Sequence, residues 1–145
     1  MKIIYLAGPL YTEGERILLE SIDKLCKEKG FSTYLPHKDG GLFTRKEKSS
    51  KDFFINDLKK LDEASLIIVV FNGPDVDSGT SWEMGYFFSK GRPIIGYLND
   101  TRIYDQVKQL NPMIINSSDR VVNNLEGLKK ILGQMKNGKI NNKKT

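Results

Sequence analysis

One cysteine and one histidine in a chain of 145 residues remove several chemistries at once. Cys26 alone can form neither an intrachain disulfide nor a thiolate metal cluster. Its spacing from Ile22 and Leu25 puts it on the apolar side of an amphipathic helix. His37 alone supplies neither a catalytic triad nor a histidine-bound zinc site, and with no partners it reads as a loop residue. Gly-x-Gly-x-x-Gly is missing after the first apolar run, and Gly-x-x-x-x-Gly-Lys-Ser/Thr is missing throughout. Dinucleotide and P-loop enzymes are therefore disfavoured. No apolar run reaches the roughly 20 residues needed to cross a bilayer, and Met1-Lys2-Ile3-Ile4-Tyr5 begins directly as a strand, without a signal peptide. The expectation is a cytoplasmic protein with no membrane partner, no metal and no organic cofactor.

The net charge of +5 raises the question of nucleic acid, but Lys139, Lys143 and Lys144 lie in the polar tail 137–145. A solvated, disordered terminus accounts for them. The basic stretch Lys46 to Lys51 lacks the interleaved aromatics of a single-strand groove, so a nucleic-acid polymer is not an expected partner. At 39% hydrophobic and 28% charged residues, the rest of the chain, 1–136, is expected to be one domain with one core.

Five apolar, β-branched runs alternate with helical patterns, as in a parallel sheet covered on both faces. The runs are Lys2–Ala7, Ser32–Leu35, Ser65–Phe71, Pro93–Leu98 and Arg120–Val122. The third is apolar without alternation, which marks the sheet centre. Helical spacing covers Glu13–Lys29, Lys51–Glu63, Ser81–Lys90 and Leu125–Met135, with Gly30 and Gly91 placed for left-handed caps. The stretch from His37 to Ser50 shows no period and reads as a mobile loop of the kind that closes over substrates. In open α/β sheets ligands sit beyond the carboxyl ends of the strands, so the segments after Ala7, Leu35, Phe71 and Leu98 are the places for chemistry.

Ala7-Gly8-Pro9-Leu10-Tyr11-Thr12 is a strand-to-helix turn entering a capping box, Thr12 with Glu15. In a binding site, Gly8 would admit a ligand close to the backbone and Tyr11 would offer a ring face to a base. After the third run, Asp75, Asp77 and Glu83 gather around a helix start. Thr80-x-x-Glu83 is itself a capping box, so spacing alone leaves Glu83 open between capping and catalysis. A helix amino terminus favours the ionised carboxylate in either role. Asp57, an aspartate inside a helical pattern, has a solvated surface position as its ordinary reading, and Asn111 before Pro112 is ordinary turn chemistry.

Together, Ile4-Tyr5-Leu6-Ala7-Gly8-Pro9, Asn56-Asp57-Leu58 with Asp62-Glu-Ala-Ser65, Asp77-x-Gly-Thr-x-x-Glu83-x-Gly-Tyr86 and Asn111-x-Met113 resemble the nucleoside 2-deoxyribosyltransferase family. The resemblance implies a doubly wound α/β fold, flavodoxin-like, with a five-stranded parallel sheet and helices on both faces. It implies that Glu83 attacks the anomeric carbon to give a covalent sugar ester, that Tyr5 orients Glu83, and that Asp57 exchanges a proton with the base. It also implies that Asp77 and Asn111, with Met113, hold the sugar, Asn111 entering a neighbouring subunit of a homo-oligomer. An aspartate at position 77 would repel a 5'-phosphate, which favours free deoxynucleosides and nucleobases as substrates. The family's base-contacting loop often reads Pro-x-Asp-Asn where this chain has Pro36-His37-Lys38-Asp39-Gly40, so Asp39 is the candidate for base recognition. The expected reaction is transfer of 2-deoxyribose between bases. Its rivals are an N-glycosidase acting on deoxynucleosides or their 5'-monophosphates, and a non-catalytic nucleotide-sensing module.

Overall fold

The computed structural model describes residues 3–40, 49–100 and 110–136. The tail 137–145 and the greater part of the proposed lid, 41–48, lie outside the described residues. In chain order the elements are β1 (Ile3–Ala7), α1 (Glu13–Glu28), β2 (Ser32–Tyr34), a π-helical turn Pro36–Gly40, α2 (Ser50–Glu63), β3 (Leu66–Val70), α3 (Ser78–Ser89), β4 (Ile94–Tyr97), α4 (Pro112–Ser117), β5 (Arg120–Val122) and α5 (Leu125–Lys136). The five strands form one sheet in the order β2-β1-β3-β4-β5, every pair parallel. This is the doubly wound α/β arrangement, with strand order reversing between β1 and β3.

Every residue of β3 is buried, as a central parallel strand requires. Side-chain alternation then divides the interior into two layers. Ile4, Leu6, Ile68 and Val70 pack on one face with Leu19, Ile22 and Cys26 of α1 and Leu128 and Leu132 of α5. Tyr5, Ala7, Ile67, Val69 and Phe71 pack on the other with Leu61 of α2 and Met84 and Phe87 of α3. A tyrosine, Tyr5, sits in the floor of the second layer.

Gly30 takes φ +82° just past α1, where a Cβ would be strained, and thereby ends the helix as its position in the sequence suggested. Gly96 answers to packing instead, since a Cβ there would lie 2.3 Å from Cε2 of Phe71. Gly96→Ala must displace a fully buried ring and is expected to cost about 1–3 kcal/mol, read as a lower urea midpoint at unchanged slope.

The structure corrects three local readings. The stretch read as loop from His37 opens as a π-helical turn, closed by the Asp39 carboxylate accepting the Leu35 N–H at 2.7 Å. The turn expected at Asn111-Pro112 becomes α4, because the Asn111 side chain accepts the Met113 N–H and Pro112 is pre-set for a first helical turn. Helix α3 begins three residues earlier than expected, at Ser78, and its cap is Asp77, not Thr80.

Candidate active site

The cap on α3 removes one of the two readings that the spacing left to Glu83. Asp77 Oδ2 accepts from the backbone N–H of Thr80 at 2.9 Å and from its hydroxyl at 3.0 Å. A carboxylate one carbon from the backbone reaches these donors from the cap position, so Thr80 becomes an internal residue of the first turn. Glu83 falls beyond that turn, where no free N–H remains to be capped. Its carboxylate instead points at the sheet and accepts the Tyr5 hydroxyl at 2.6 Å, across 78 positions of sequence.

Both members of this pair are taken out of water. Tyr5 is fully buried, and its phenol is pushed far above its ordinary range by burial, then by the charges of Glu83 and Asp57. It is therefore a permanent donor. Burial also pushes Glu83 up, to about 8, against the hydrogen bond from Tyr5, and the charges of Asp57 and Asp77 push it the same way. A carboxyl poised this high exchanges its proton in the neutral range, as catalytic carboxyls do.

Asp57 lies on α2, facing Glu83 across a cleft of about 280 Å³ whose other walls are Phe54, Leu58, Leu61, Gly79 and Trp82. Burial raises its pKa, while hydrogen bonds from Tyr34 and Asn56 oppose the rise. The surface reading of Asp57 is thus wrong: the residue is half-buried and its carboxylate accepts the Tyr34 hydroxyl at 2.8 Å. Sequence reasoning missed Phe54 and Trp82, which line the same cleft as the two carboxyls and whose rings meet edge to face at 5.7 Å. Trp82 also stacks on Tyr86 at 5.5 Å and 6° between planes. An aromatic in a helical pattern signals a buried stripe as readily as a cleft wall, but here Phe54 and Trp82 are each about half exposed, at 51% and 50%.

The other candidates divide. Tyr11, 77% exposed, donates its hydroxyl to Asp77 Oδ1 at 2.6 Å, so these two form one unit at the start of α3. Burial pushes the Asp77 pKa up, but the hydrogen bonds from Tyr11, Thr80 and Gly79 outweigh it and leave it lowered. Gly8 is needed for packing, since a Cβ there would lie 3.0 Å from Cβ of Val70 and 3.3 Å from Leu19. Asp39 is spent on its own turn. Asn111 and Met113 do not line the cleft of their own chain; both are exposed on α4, Met113 by 76%. His37, read as a loop residue, stands on the π-helical turn with its side chain largely covered and meets Glu20 Oε1 at 3.0 Å through Nε2. A second cavity of about 350 Å³ lies beyond the ends of β1, β3 and β4, edged by Asn72, Asn99 and Asp100. It contains none of the Glu83 cluster.

Comparison with known proteins supplies the family. The model of the nucleoside 2-deoxyribosyltransferase family matches residues 4–133, and the chain belongs to that family. The "Putative 2'-deoxynucleoside 5'-phosphate N-hydrolase 1" of Thermofilum pendens is 29% identical over 96 residues, 63% of this chain and 64% of the relative's length. The chain thus spans just under two thirds of that curated relative. Among solved structures, a conserved protein from Enterococcus faecalis V583 superposes with a TM-score of 0.79 at 22% identity, covering 93% of this chain and 99% of its own. A 2-deoxyribosyltransferase from Bacillus psychrosaccharolyticus superposes at 0.70 with 22% identity, covering 88% and 90%. At these identities the two structures speak for the fold.

Proposed function

We propose that the chain transfers 2-deoxyribose between nucleobases by double displacement through Glu83. The observation that carries this reading is the Tyr5–Glu83 hydrogen bond, which turns a buried carboxyl toward the cleft it shares with Asp57. In the first step Glu83 reacts from its ionised form, which the Tyr5 hydrogen bond favours against burial: one oxygen bonds to C1' as the C1'–N bond breaks, and the electron pair leaves with the base. Asp57, its pKa raised by burial, gives that base nitrogen a proton. In the second step another base attacks C1', the ester bond breaks, and Asp57 takes the incoming proton. The transition states carry positive charge on the sugar, so the Glu83 carboxylate stabilises them more than the ground state. Phe54 and Trp82 supply apolar walls that suit a planar base.

A lowered, hydrogen-bonded Asp77 supports an unphosphorylated sugar, because a phosphate beside it would be repelled. The exposed Met113 beside Asn111 supports the contribution of α4 to the cleft of a second copy in a homo-oligomer. Hydrolysis is the second reading, favoured by the N-hydrolase relative; water would then resolve the same ester.

Incubation with deoxyinosine, with and without free adenine, separates the readings. Transfer predicts deoxyadenosine only when adenine is present. Hypoxanthine release without adenine would replace transfer with hydrolysis, and no turnover in either arm, with other deoxynucleosides equally inert, would overturn both.

A further inference from the structure

Tyr34 ends β2 as a 4% exposed residue, its ring 5.3 Å from that of Tyr5 and tilted by 37°. Its hydroxyl has a fixed polarity. The Asn56 amide donates to it at 2.7 Å, so its proton goes to the other partner, Asp57 Oδ1, at 2.8 Å. The π-helical turn closes over this oxygen at Gly40, where a Cβ would stand 2.5 Å from the phenol oxygen. A chain of donors thus runs from Asn56 through Tyr34 to Asp57, parallel to the bond from Tyr5 to Glu83. Each carboxyl of the cleft has its own buried phenol.

Resting on the glycosyl-transfer reading, we propose that Tyr34 is a positioning residue for Asp57, holding Oδ1 so that Oδ2 exchanges the proton with the base. A carboxylate with two equivalent oxygens and free rotation presents no defined proton site; one oxygen pinned by a fixed donor leaves the other committed. The same bond stabilises the ionised form against burial, so Asp57 gives up its proton and recovers it within one catalytic cycle. Asp57 and Tyr34 also feel Glu83 on α3, Tyr5 on β1, Asp39 on the turn and Lys60 of α2, 6.0 Å from the Tyr34 ring centre. None of these is altered by removing one phenol oxygen.

Tyr34→Phe keeps the ring and deletes the donor. Carboxyl carbon NMR titration of the free protein, with the Asp57 signal assigned by its loss in Asp57→Asn, is expected to show the Asp57 midpoint rising by roughly one pH unit. An unchanged midpoint would overturn the proposal. Should Tyr34→Phe fail to fold, a fluorinated, more acidic tyrosine placed at position 34 keeps the bond and strengthens it, and is expected to lower the same midpoint; no change there would be equally decisive. Kinetics supply a second reading. Tyr34→Phe is expected to lose about 10- to 100-fold on deoxyinosine and less than about threefold on 4-nitrophenyl 2-deoxyriboside, whose leaving group needs no proton. Equal losses on both substrates would mean a merely structural role. Because the titration needs no turnover, a wild-type protein inert toward every deoxynucleoside would sink the glycosyl-transfer reading and leave the Asp57 comparison standing.

Discussion

Glu83→Ala is expected to lower kcat for base release by at least about 10⁴-fold, with the fold retained. The size follows from the role. A covalent nucleophile cannot be replaced by a neighbouring side chain, and what survives its removal is only the binding and proton transfer that Asp57 and the cleft still supply. Had Glu83 been a capping residue, its loss would cost about 0.5–2 kcal/mol of stability and leave chemistry intact. The Asp77 cap takes that role away from Glu83, so the two accounts now predict opposite results. Rates for wild type and variant on one deoxynucleoside, with circular dichroism to confirm the fold, make the comparison.

Glu83→Gln is expected to remove the alkaline loss of stability that Glu83 causes. In the folded protein the Glu83 carboxyl is pushed up to about 8 by burial, from 4.5 in an exposed chain. Between those values the folded state holds a proton that the unfolded state has lost, so unfolding free energy falls as pH rises through the window and levels off above it. The raised group therefore favours folding most at low pH. Gln mimics the protonated acid, still accepts from Tyr5 through its carbonyl oxygen and has no proton to lose. Relative to wild type, the variant should be close to neutral at pH 5 and more stable by on the order of 3–5 kcal/mol at pH 9. Urea denaturation at matched protein concentration reads this directly. Parallel pH dependence in the two proteins would mean that Glu83 is not held protonated by burial.

The fold was legible from residues because each layer obeys a simple period. Continuous apolarity in Leu66–Val70 reports burial on both faces, and the helices between strands leave parallel pairing as the consistent arrangement. Helix starts were less legible. Thr80-x-x-Glu83 has the spacing of a capping box, but Asp77 upstream competes for the same N–H groups and wins, which moves the start of α3 and releases Glu83 toward the sheet. The turn Pro36–Gly40 is too short to show a period and depends on one carboxylate folding back on Leu35.

The site was legible in part. No periodicity relates Tyr5 to Glu83; only the register of β1 beneath α3 brings them to 2.6 Å, and the resemblance named them before the geometry joined them. Tyr34 was hidden because a tyrosine in a strand pattern counts as an apolar residue, while both of its polar partners come from α2, more than 20 positions later. Asp57 looked like surface because helical spacing does not say which face meets the cleft. Gly8 carried a ligand-contact reading that its packing against Val70 and Leu19 explains without a ligand.

The central claim is that Glu83 becomes covalently linked to the sugar. Intact-protein mass spectrometry after acid quench of the enzyme turning over a deoxynucleoside, without an acceptor base, tests it most directly. The account predicts an increase by one deoxyribosyl group, located by peptide mapping to Glu83 and lost in Glu83→Gln. Steady turnover with no adduct at any quench time, or an adduct on another residue, would contradict it.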